Sequence, residues 1–293
     1  MRQRERKQLQ RYIELLHNKK LVDEYTQYID RILGAHKKSD SAVDWARLYA
    51  VPAPYGSGGA GPKEQEARQA LEAFAPRWYE RGALMRLAER RRAALAAAVE
   101  QAAAEDRAAY EQWRAQHELA AKVLAGDADA YLRVIAEKEP LDDLQQLGSG
   151  FEFEVKDGTA LEVVFRAHSE RVVPTEELSL TKTGRLSRKE LSKSSRNKLI
   201  QDVVCSCALR IARDLTSLLP VQKVVVHAVD ELVDTAAGRL EEYTILSVAF
   251  ERGPLLALQF ERIDPSDAVR SFPHRMSFAA VTGFQPVERL HIS

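Results

Sequence analysis

The stretch from Ala83 to Leu124 constrains the fold more than any other part of the chain. It contains no proline or glycine and is rich in alanine, glutamate, arginine and glutamine, all of which are compatible with a helix. A helix of this length extends about 60 Å, beyond the span of a compact domain. Its apolar residues form a narrow seam, built from spacings of three and four, that needs a partner to be stable. The seam consists of Leu84, Ala88, Leu95, Val99, Ala102, Ala109, Trp113 and Ala120.

Residues 4–36 predict a second helix, which is the partner we expect for that seam, from the same chain or from a second copy. Between the two helices, residues 39–79 contain Pro52, Pro54, Pro62 and a glycine-rich run, which break the helical pattern and predict a linker. Apolar residues of the first helix recur at helical spacing with charges between them. They are Leu9, Tyr12, Ile13, Leu16, Tyr25, Ile29 and Ile32.

From residue 150 the apolar residues change from a helical period to alternation. FEFEV and LEVVF predict two strands joined by a tight KDGT turn, and ELSLTK, VQKVVVHAV, EEYTILSVAFE and LLALQFERI predict further strands. A capping box from Ser187 to Glu190 predicts the start of a long helix that ends at Pro220. Asp127 and Asp264 are predicted N-caps of two shorter helices.

These patterns predict an α+β protein. A long helical hairpin or coiled coil is followed by a mainly antiparallel sheet packed on one long helix. The 293 residues are sufficient for two domains, or for one domain with a helical extension. We expect an N-terminal helix at 1–38, a Pro/Gly-rich linker at 39–79, a helical arm at 80–147 and an α+β domain at 148–293.

The charge balance excludes a protein-wide attraction to nucleic acid or membranes. The chain has 43 basic and 43 acidic residues, so any such attraction must come from a local patch. No apolar run is long enough to cross a bilayer, and the first residues lack the apolar core of a signal peptide. Cys205 and Cys207 form no disulfide framework, so we expect reduced thiols in a cytoplasmic protein. No motif predicts a cofactor or a metal site.

Glu154 and Lys156 match the Glu-x-Lys end of a metal-dependent nuclease signature, and Asp143 could supply the missing carboxylate. Such a site needs two carboxylates to hold Mg²⁺ and a lysine to position the attacking water. However, Asp143 follows Pro140 in a loop or helix end, whereas Glu154 and Lys156 occupy the outward positions of an alternating strand. We therefore predict an ordinary hairpin and keep a diverged nuclease as the alternative hypothesis.

Two other motifs have simpler interpretations. GSGGAGPK, residues 56–63, resembles a phosphate-binding loop but lacks the Gly-Lys-Ser/Thr end and a preceding strand, so it indicates a flexible linker. His227 lies on an apolar strand with Asp230 nearby, and no serine or cysteine is clearly placed as its nucleophile. This histidine is therefore predicted to be structural.

The one strong local charge feature is the basic run at residues 181–198, which contains a single acid, Glu190. Its serines and the start of the predicted helix could donate hydrogen bonds to phosphates, whereas its lack of aromatic residues argues against binding single strands. The alternative is a solvated loop and first helical turn. The candidate residues for an anionic partner are Lys182, Arg185, Arg188, Lys189, Lys193, Arg196 and Lys198.

Several phrases occur in a recognisable order: AGDADAYLRVIAEKEP, VVPTEELSLTKTGRLSRKE, VVVHAVDELVDTAAGR and ERIDPSDAV. With the preceding helices, this layout resembles the coiled-coil plus α+β region ahead of Mrr-like restriction-endonuclease domains in some bacterial proteins. The nuclease domain has no counterpart in this sequence, so the resemblance transfers no catalytic residue. It implies a non-enzymatic sensing, scaffolding or partner-binding component of a DNA restriction or phage-defence system.

The partners expected from this interpretation are another protein or a second copy of the chain. Either would bind through the helices at 4–36 and 83–124. Nucleic acid is a further candidate partner through the basic run, and no membrane partner is expected.

Overall fold

The computed structural model describes residues 3–39, 42–78, 85–145, 149–156, 158–234 and 238–291. The chain forms two compact units, Asp44–Ala125 and Met1–Val43 with Gly126–Ser293. The helices are α1 (Gln3–Leu33), α2 (Trp45–Tyr49), α3 (Pro62–Glu72), α4 (Met85–Leu124), α5 (Ala128–Lys138), α6 (Asp142–Gln145), α7 (Ser169–Val172), α8 (Lys193–Leu218), α9 (Arg252–Leu256) and α10 (Pro265–Arg270). The strands are β1 (Phe151–Val155), β2 (Ala160–Arg166), β3 (Glu176–Leu180), β4 (Leu186–Glu190), β5 (Lys223–Asp234), β6 (Arg239–Glu251), β7 (His274–Ala279) and β8 (Gly283–Gln285).

The larger unit is built on a six-stranded sheet with the strand order β1-β2-β5-β6-β7-β8. Neighbouring strands are antiparallel except β2 and β5, which run parallel because the chain returns through α8 between them. The α+β architecture with a mainly antiparallel sheet is thereby confirmed. Alternating apolar residues of the central strands and one side of α8 form the core. They include Leu161, Val163, Phe165, Val224, Val226, Leu246, Val248 and Phe250 of the sheet, and Ala208, Leu209, Ile211 and Leu215 of the helix.

Local sequence signals are confirmed at three places in this unit. Asp127 caps α5 by accepting a hydrogen bond from the Ala130 amide at 2.8 Å. Asp264 caps α10 by accepting one from the Asp267 amide at 3.0 Å. The β1–β2 hairpin pairs in the predicted antiparallel manner, from Phe151 opposite Phe165 to Val155 opposite Leu161, and Asp157 of the predicted turn lies outside the described residues.

Two local predictions in this unit are wrong. The capping box at Ser187 and Glu190 does not start a helix, because both residues lie in β4 and pair with β3. The helix starts later, where Ser192 accepts a hydrogen bond from the Ser195 amide at 3.1 Å. The segment LLALQFERI is not a strand: β6 ends at Glu251, and Pro254, which cannot donate to a strand ladder, lies in α9.

Helix α1 presents different faces in its two halves. Successive helical residues turn by about 100°, so the predicted apolar positions divide into two sets on opposite sides. Residues of the first half, Leu9, Tyr12, Ile13 and Leu16, are each at least 46% exposed. In the second half, Ile32 is buried, and Tyr25 and Ile29 are half-buried.

The end of α1 is fixed to α8 through the 3-10 turn Ala35–Lys37. The backbone amide of His36 donates to Ser206 Oγ at 3.0 Å, and Nδ1 of the His36 ring lies 2.8 Å from the same oxygen. Ser206 Oγ in turn donates to the Leu33 carbonyl at 2.9 Å. Arg213 donates to the carbonyls of His36 and Lys37. The second half of α1 is therefore part of the core of the larger unit.

The smaller unit consists of α4 with α2 and α3 packed on it. The range 39–79 was predicted to be a linker, but it contains α2 and α3, so this prediction is wrong. The cause is a contact distant in sequence: Asp106 of α4 is buried and accepts a hydrogen bond from the Glu64 amide at 2.8 Å, at the start of α3. A Cβ on Gly61 would overlap the Asp106 side chain, so glycine is required there.

The α4 seam largely follows the predicted positions. Ala88 is buried, and Leu95, Val99, Ala102 and Trp113 are half-buried. Ala109 is exposed, and Leu84 lies outside the described residues. The predicted segments 1–38, 80–147 and 148–293 also differ from the observed units, which divide the chain at residues 43–44 and 125–126. Within its unit α4 packs on α2 and α3, and its pairing with residues 4–36 stays a prediction.

Candidate nucleic-acid interface

The basic run forms a separate two-stranded sheet, the β3–β4 hairpin, and the first turn of α8. The hairpin turn is closed by backbone bonds between Thr181 and Arg185 and between Gly184 and Thr181, each 2.9 Å. The Arg185 amide also donates to Thr181 Oγ1 at 3.0 Å. Gly184 has φ of 78°, a left-handed conformation that favours glycine. These bonds hold the backbone that carries Lys182 and Arg185 in one conformation.

Helix α1 supports this hairpin along its length. Asn18 Nδ2 donates to the Gly184 carbonyl at 3.2 Å, and the Leu15 side chain packs against Gly184 so closely that a Cβ there would approach it to 2.8 Å. Further along α1, the Tyr28 hydroxyl donates to the Val172 carbonyl at 2.6 Å, just before β3. The tip of the hairpin is therefore directed toward the N-terminal half of α1.

Four cations of the run are free to meet a partner. The side chains of Lys182, Arg185, Lys189 and Lys193 are exposed and make no ion pair or hydrogen bond with the part of the chain that the structure describes. Arg188 is also exposed, and its Nη1 lies 3.6 Å from Glu176 Oε2. A pair this exposed contributes little stability, so the Arg188 guanidinium can exchange partners.

The two remaining cations of the run differ. Arg196 is held by three bonds: Nη1 to Glu170 Oε2 at 2.6 Å, and Nη2 to the carbonyls of Glu170 and Val173 at 3.1 Å. Its side chain is only 16% exposed, so it connects α8 to the segment before β3 and is committed to that role. Lys198 is exposed and helps to lower the pKa of Asp202, although burial and the nearby carboxylates raise that pKa to about 6.

The hairpin also brings acids to the surface that the basic run by itself does not contain. The register places Glu176 opposite Glu190 and Glu177 opposite Lys189. Sequence reasoning missed Glu176 and Glu177 as neighbours of the run because the strand pairing of ELSL with LSRKE was not predicted. The positive charge is therefore concentrated at the turn and at the start of α8. A cation in the first turn of a helix faces the positive end of the helix dipole, so a bound anion would be favoured there.

The predicted nuclease residues do not converge. Asp143 lies in α6, where its carboxylate is 3.3 Å from Lys38 Nζ and 3.9 Å from Arg210 Nη2. Lys156 Nζ is instead 2.6 Å from Glu154 Oε1 and 3.3 Å from Glu162 Oε2. Glu154 and Lys156 are both exposed. Among the described residues, no group of three or more His, Cys, Asp or Glu side chains is arranged to hold a metal ion.

His227 has a serine partner that sequence reasoning missed. Its ring is fully buried, and Nδ1 lies 2.8 Å from Ser247 Oγ, directly across the β5–β6 pair. Nε2 lies 3.0 Å from Glu162 Oε1, without the alignment of a hydrogen bond. Strand pairing, which places Ser247 twenty residues away opposite His227, was the signal that could have identified it.

This Glu162–His227–Ser247 arrangement is inaccessible to a substrate. Ser247 is fully buried, and its Oγ accepts a hydrogen bond from the Leu290 amide at 2.9 Å. Burial lowers the pKa of His227, and Glu162 opposes this shift. The group therefore connects β2, β5 and β6 to the segment after β8, consistent with a structural histidine.

The two cysteines are also buried. Both lie in α8 as free thiols, and burial raises the pKa of Cys207 to about 12 and that of Cys205 further. A thiol with a raised pKa has little thiolate at neutral pH and is a poor nucleophile. Neither cysteine is therefore a candidate catalytic group.

Comparisons with known proteins add no relative: no protein-family model, curated protein or solved structure matches the chain. Across the described ranges, no helix combines the length and the apolar character that a membrane span requires. The side chains of the hairpin and of α8 described above are therefore the basis for assigning a function.

Proposed function

We propose that the protein is a non-enzymatic binding component that holds the phosphate backbone of nucleic acid on its β3–β4 hairpin and the start of α8. The observation that carries this proposal is the set of free, exposed cations Lys182, Arg185, Lys189 and Lys193 on an ordered backbone. In a chain of zero net charge, a cluster of this kind provides a local positive field.

Binding of this kind is independent of base sequence. Lysine and arginine contact phosphates through charge, and specific readout needs side chains that reach base edges in a groove. Within the run from Lys182 to Lys198, asparagine is represented by Asn197, whose amide donates to the Ala280 carbonyl at 2.8 Å. The amide of Asn197 is therefore already engaged, and the binding that we propose for the hairpin cations is to phosphates.

The test is a titration of a labelled duplex at low and at physiological salt. We expect the logarithm of the affinity to fall linearly with the logarithm of salt concentration, with a slope of about −0.9 per phosphate contact, or about −3.6 for four. Replacing Lys182, Arg185, Lys189 and Lys193 by glutamate should abolish binding. The helix is anchored beyond this region by buried residues such as Val203 and Ile211, so the fold should be retained.

A matched control makes the same change in net charge elsewhere. Arg86, Arg90, Arg92 and Lys122 are exposed residues of α4, and their replacement by glutamate should leave the affinity unchanged. Absence of binding by the unmodified protein at both salt concentrations would remove the nucleic-acid proposal. Equal losses in the two variants would show that only net charge matters.

We also propose that the protein does not cleave the nucleic acid it binds. Because Glu154 and Lys156 pair with each other on the exposed side of β1, replacing both by alanine should change the free energy of unfolding by no more than about 0.5 kcal/mol. Incubation with duplex DNA and Mg²⁺ or Mn²⁺ should leave the DNA intact. Cleavage that disappears in the Glu154→Ala variant would support the nuclease alternative.

A second proposed function is self-association through the first half of α1. Leu9, Tyr12, Ile13 and Leu16 form an exposed stripe at the spacing of a helix–helix seam. This stripe lies on the side of α1 opposite to Leu15 and Asn18, which contact the hairpin. A second copy of α1 could therefore pack on the stripe while the basic hairpin stays open.

Sedimentation across a range of protein concentrations tests this association. We expect a dimer in the unmodified protein and a monomer when Leu9, Ile13 and Leu16 are replaced by lysine. A control with lysine at Ala93, Ala97 and Ala104, exposed positions of α4, should remain dimeric. A monomer at every concentration in the unmodified protein would contradict this proposal.

The wider role that we propose, from the resemblance described in the sequence analysis, is a cytoplasmic component of a bacterial restriction or phage-defence system. Reduced, buried thiols support the cytoplasmic part of this proposal. Deletion of the gene should lower resistance to phage infection in its native host. Unchanged resistance against a panel of phages would count against this role.

A further inference from the structure

The hairpin covers only part of one face of α1. Its tip, Gly184, is in contact with Leu15 and Asn18, and its base is near Tyr28. Residues four apart on a helix lie on the same face, separated by about 6 Å along the axis. The face that carries Leu15 and Asn18 therefore continues beyond the hairpin tip, toward the start of α1, as an uncovered surface.

That uncovered surface is basic. Arg11 lies four residues before Leu15, and Lys7 lies four residues before Arg11, so both follow the line on which the hairpin tip rests. Both side chains are exposed and make no ion pair within the described part of the chain. The nearest acid on this side of α1 is Glu14, four residues before Asn18.

We infer that the phosphate-binding surface continues from Lys182 and Arg185 at the hairpin turn onto Arg11 and Lys7 of α1, and that its ligand is a nucleic-acid duplex. This inference rests on the proposed function. From Leu15 to Lys7 the line spans about 12 Å at 1.5 Å per residue. A duplex rises about 3.4 Å per base pair along its axis, so the line is as long as three to four consecutive base pairs.

The choice of a duplex follows from the stiffness and chemistry of this surface. A straight helix and an ordered turn present charges in a fixed line, which suits a stiff polyanion. Single strands are held chiefly by aromatic side chains on which bases stack. On α1, exposed Tyr12 belongs to the apolar stripe on the other side, and Tyr25 and Tyr28 are half-buried. The basic line therefore provides charge without a stacking platform.

The test measures the salt dependence of affinity for a labelled duplex of about 20 base pairs, two helical turns. Replacing Lys7 and Arg11 by glutamine removes two contacts, so the salt slope should become shallower by about 1.8. In the Lys182→Gln, Arg185→Gln variant, the salt slope should become shallower by a similar amount. A single strand of the same length should bind more weakly than the duplex at every salt concentration.

The matched control removes two cations from the same helix. Arg6 and Lys20 are exposed and lie about 120° to 160° around the helix from the basic line. Their replacement by glutamine should leave the salt slope unchanged. Circular dichroism and the thermal midpoint of each variant should match those of the unmodified protein, because all six replaced cations are exposed.

The possible failures are distinct. If the unmodified protein does not bind the duplex, the proposed function fails. If it binds and the hairpin variant weakens binding, but Lys7→Gln, Arg11→Gln keeps the full slope, the proposed function stands and the extension onto α1 is overturned. The extension is also overturned if the Arg6→Gln, Lys20→Gln control loses as much slope. Tighter binding of the single strand overturns the assignment to a duplex.

Discussion

The two long helices of this protein, α1 and α4, have similar sequence patterns but use them differently. In α4 the apolar positions stay on one side, and the segments beside it, α2 and α3, pack along that side. In α1 the side changes between Leu16 and Tyr25, so that one half is exposed and the other belongs to a core. Helical spacing within each turn is therefore insufficient evidence for a continuous seam. The apolar residues must also stay on the same side of the helix from one end to the other.

The largest expected effect distinguishes the two halves of α1. Ile32 is buried, so Ile32→Ala should lower the free energy of unfolding of the larger unit by about 2–5 kcal/mol, through lost burial and a cavity. Chemical denaturation monitored by circular dichroism measures the change. A loss below about 0.5 kcal/mol, the usual limit for surface positions, would mean that the second half of α1 is not part of the core.

The next effect concerns the seam of α4. Gly61→Ala should destabilise the smaller unit by about 1–3 kcal/mol, because the added Cβ overlaps Asp106 and forces a backbone shift. Limited proteolysis and thermal unfolding measure this effect. Gly59→Ala is the control in the same segment, since its Cβ would meet only the Gly56 carbonyl at 3.6 Å. Equal effects of the two changes would show that α3 does not pack on α4 as described.

The pH dependence of stability sharpens the comparison at the packed end of α1. Burial, assisted by Lys37, lowers the pKa of His36 below its ordinary value of 6.5, while backbone carbonyls and Glu261 oppose the shift. The stabilisation from the neutral ring is present above pH 6.5 and is lost as pH falls through the folded-state pKa. We expect His36→Gln to reduce the loss of stability between about pH 7 and pH 5.

Asp202 in the same unit titrates in the opposite sense. Its folded-state pKa is raised to about 6 from 3.8, chiefly by burial and then by Asp264 and Asp267. The stabilisation of the folded state by the protonated Asp202 carboxyl is therefore present below pH 3.8 and is lost as pH rises through about 6. Asp202→Asn should make the loss of stability on acidification steeper. Denaturant titrations at a series of pH values measure the slope for both variants. A change in the same direction in the two variants would contradict one of the two assignments.

The smallest expected effect is at the exposed end of α1. Leu16→Ser should change the free energy of unfolding by no more than about 0.5 kcal/mol, because the side chain is 48% exposed in the monomer. The measurement is made at low protein concentration, where association does not contribute. A loss comparable with that of Ile32→Ala would mean that the first half of α1 is also packed.

Much of the fold could be predicted because its signals are local. The N-caps Asp127 and Asp264 and the β1–β2 hairpin each depend on residues that are close together in the sequence. The same local rule failed at Ser187, where pairing with Ser179 outweighs a capping signal. The linker prediction failed because the contact that orders α3 joins Glu64 to Asp106, 42 residues away.

The candidate site, too, could be predicted only as far as local sequence signals reach. The cations of the basic run could be identified from composition, but their availability could not. Arg196 is held by carbonyls 23 and 26 residues earlier, and Arg188 is paired through the register of a hairpin that was not predicted. The place of Arg11 beside this surface depends on the contact between Asn18 and Gly184, 166 residues apart. Such distant contacts leave no periodic signal in the sequence.

The separation of the β3–β4 hairpin from the six-stranded sheet has a thermodynamic consequence. A two-stranded hairpin standing alone is only marginally stable in water. Here Asn18 and Leu15 order the turn when the chain folds, so the conformational entropy of its backbone is lost before any ligand arrives. Preorganisation of this kind strengthens association because less freedom remains to be lost on binding. The helix that supports the turn therefore raises its affinity through Leu15 and Asn18, whose contacts with the turn are already made before a ligand binds.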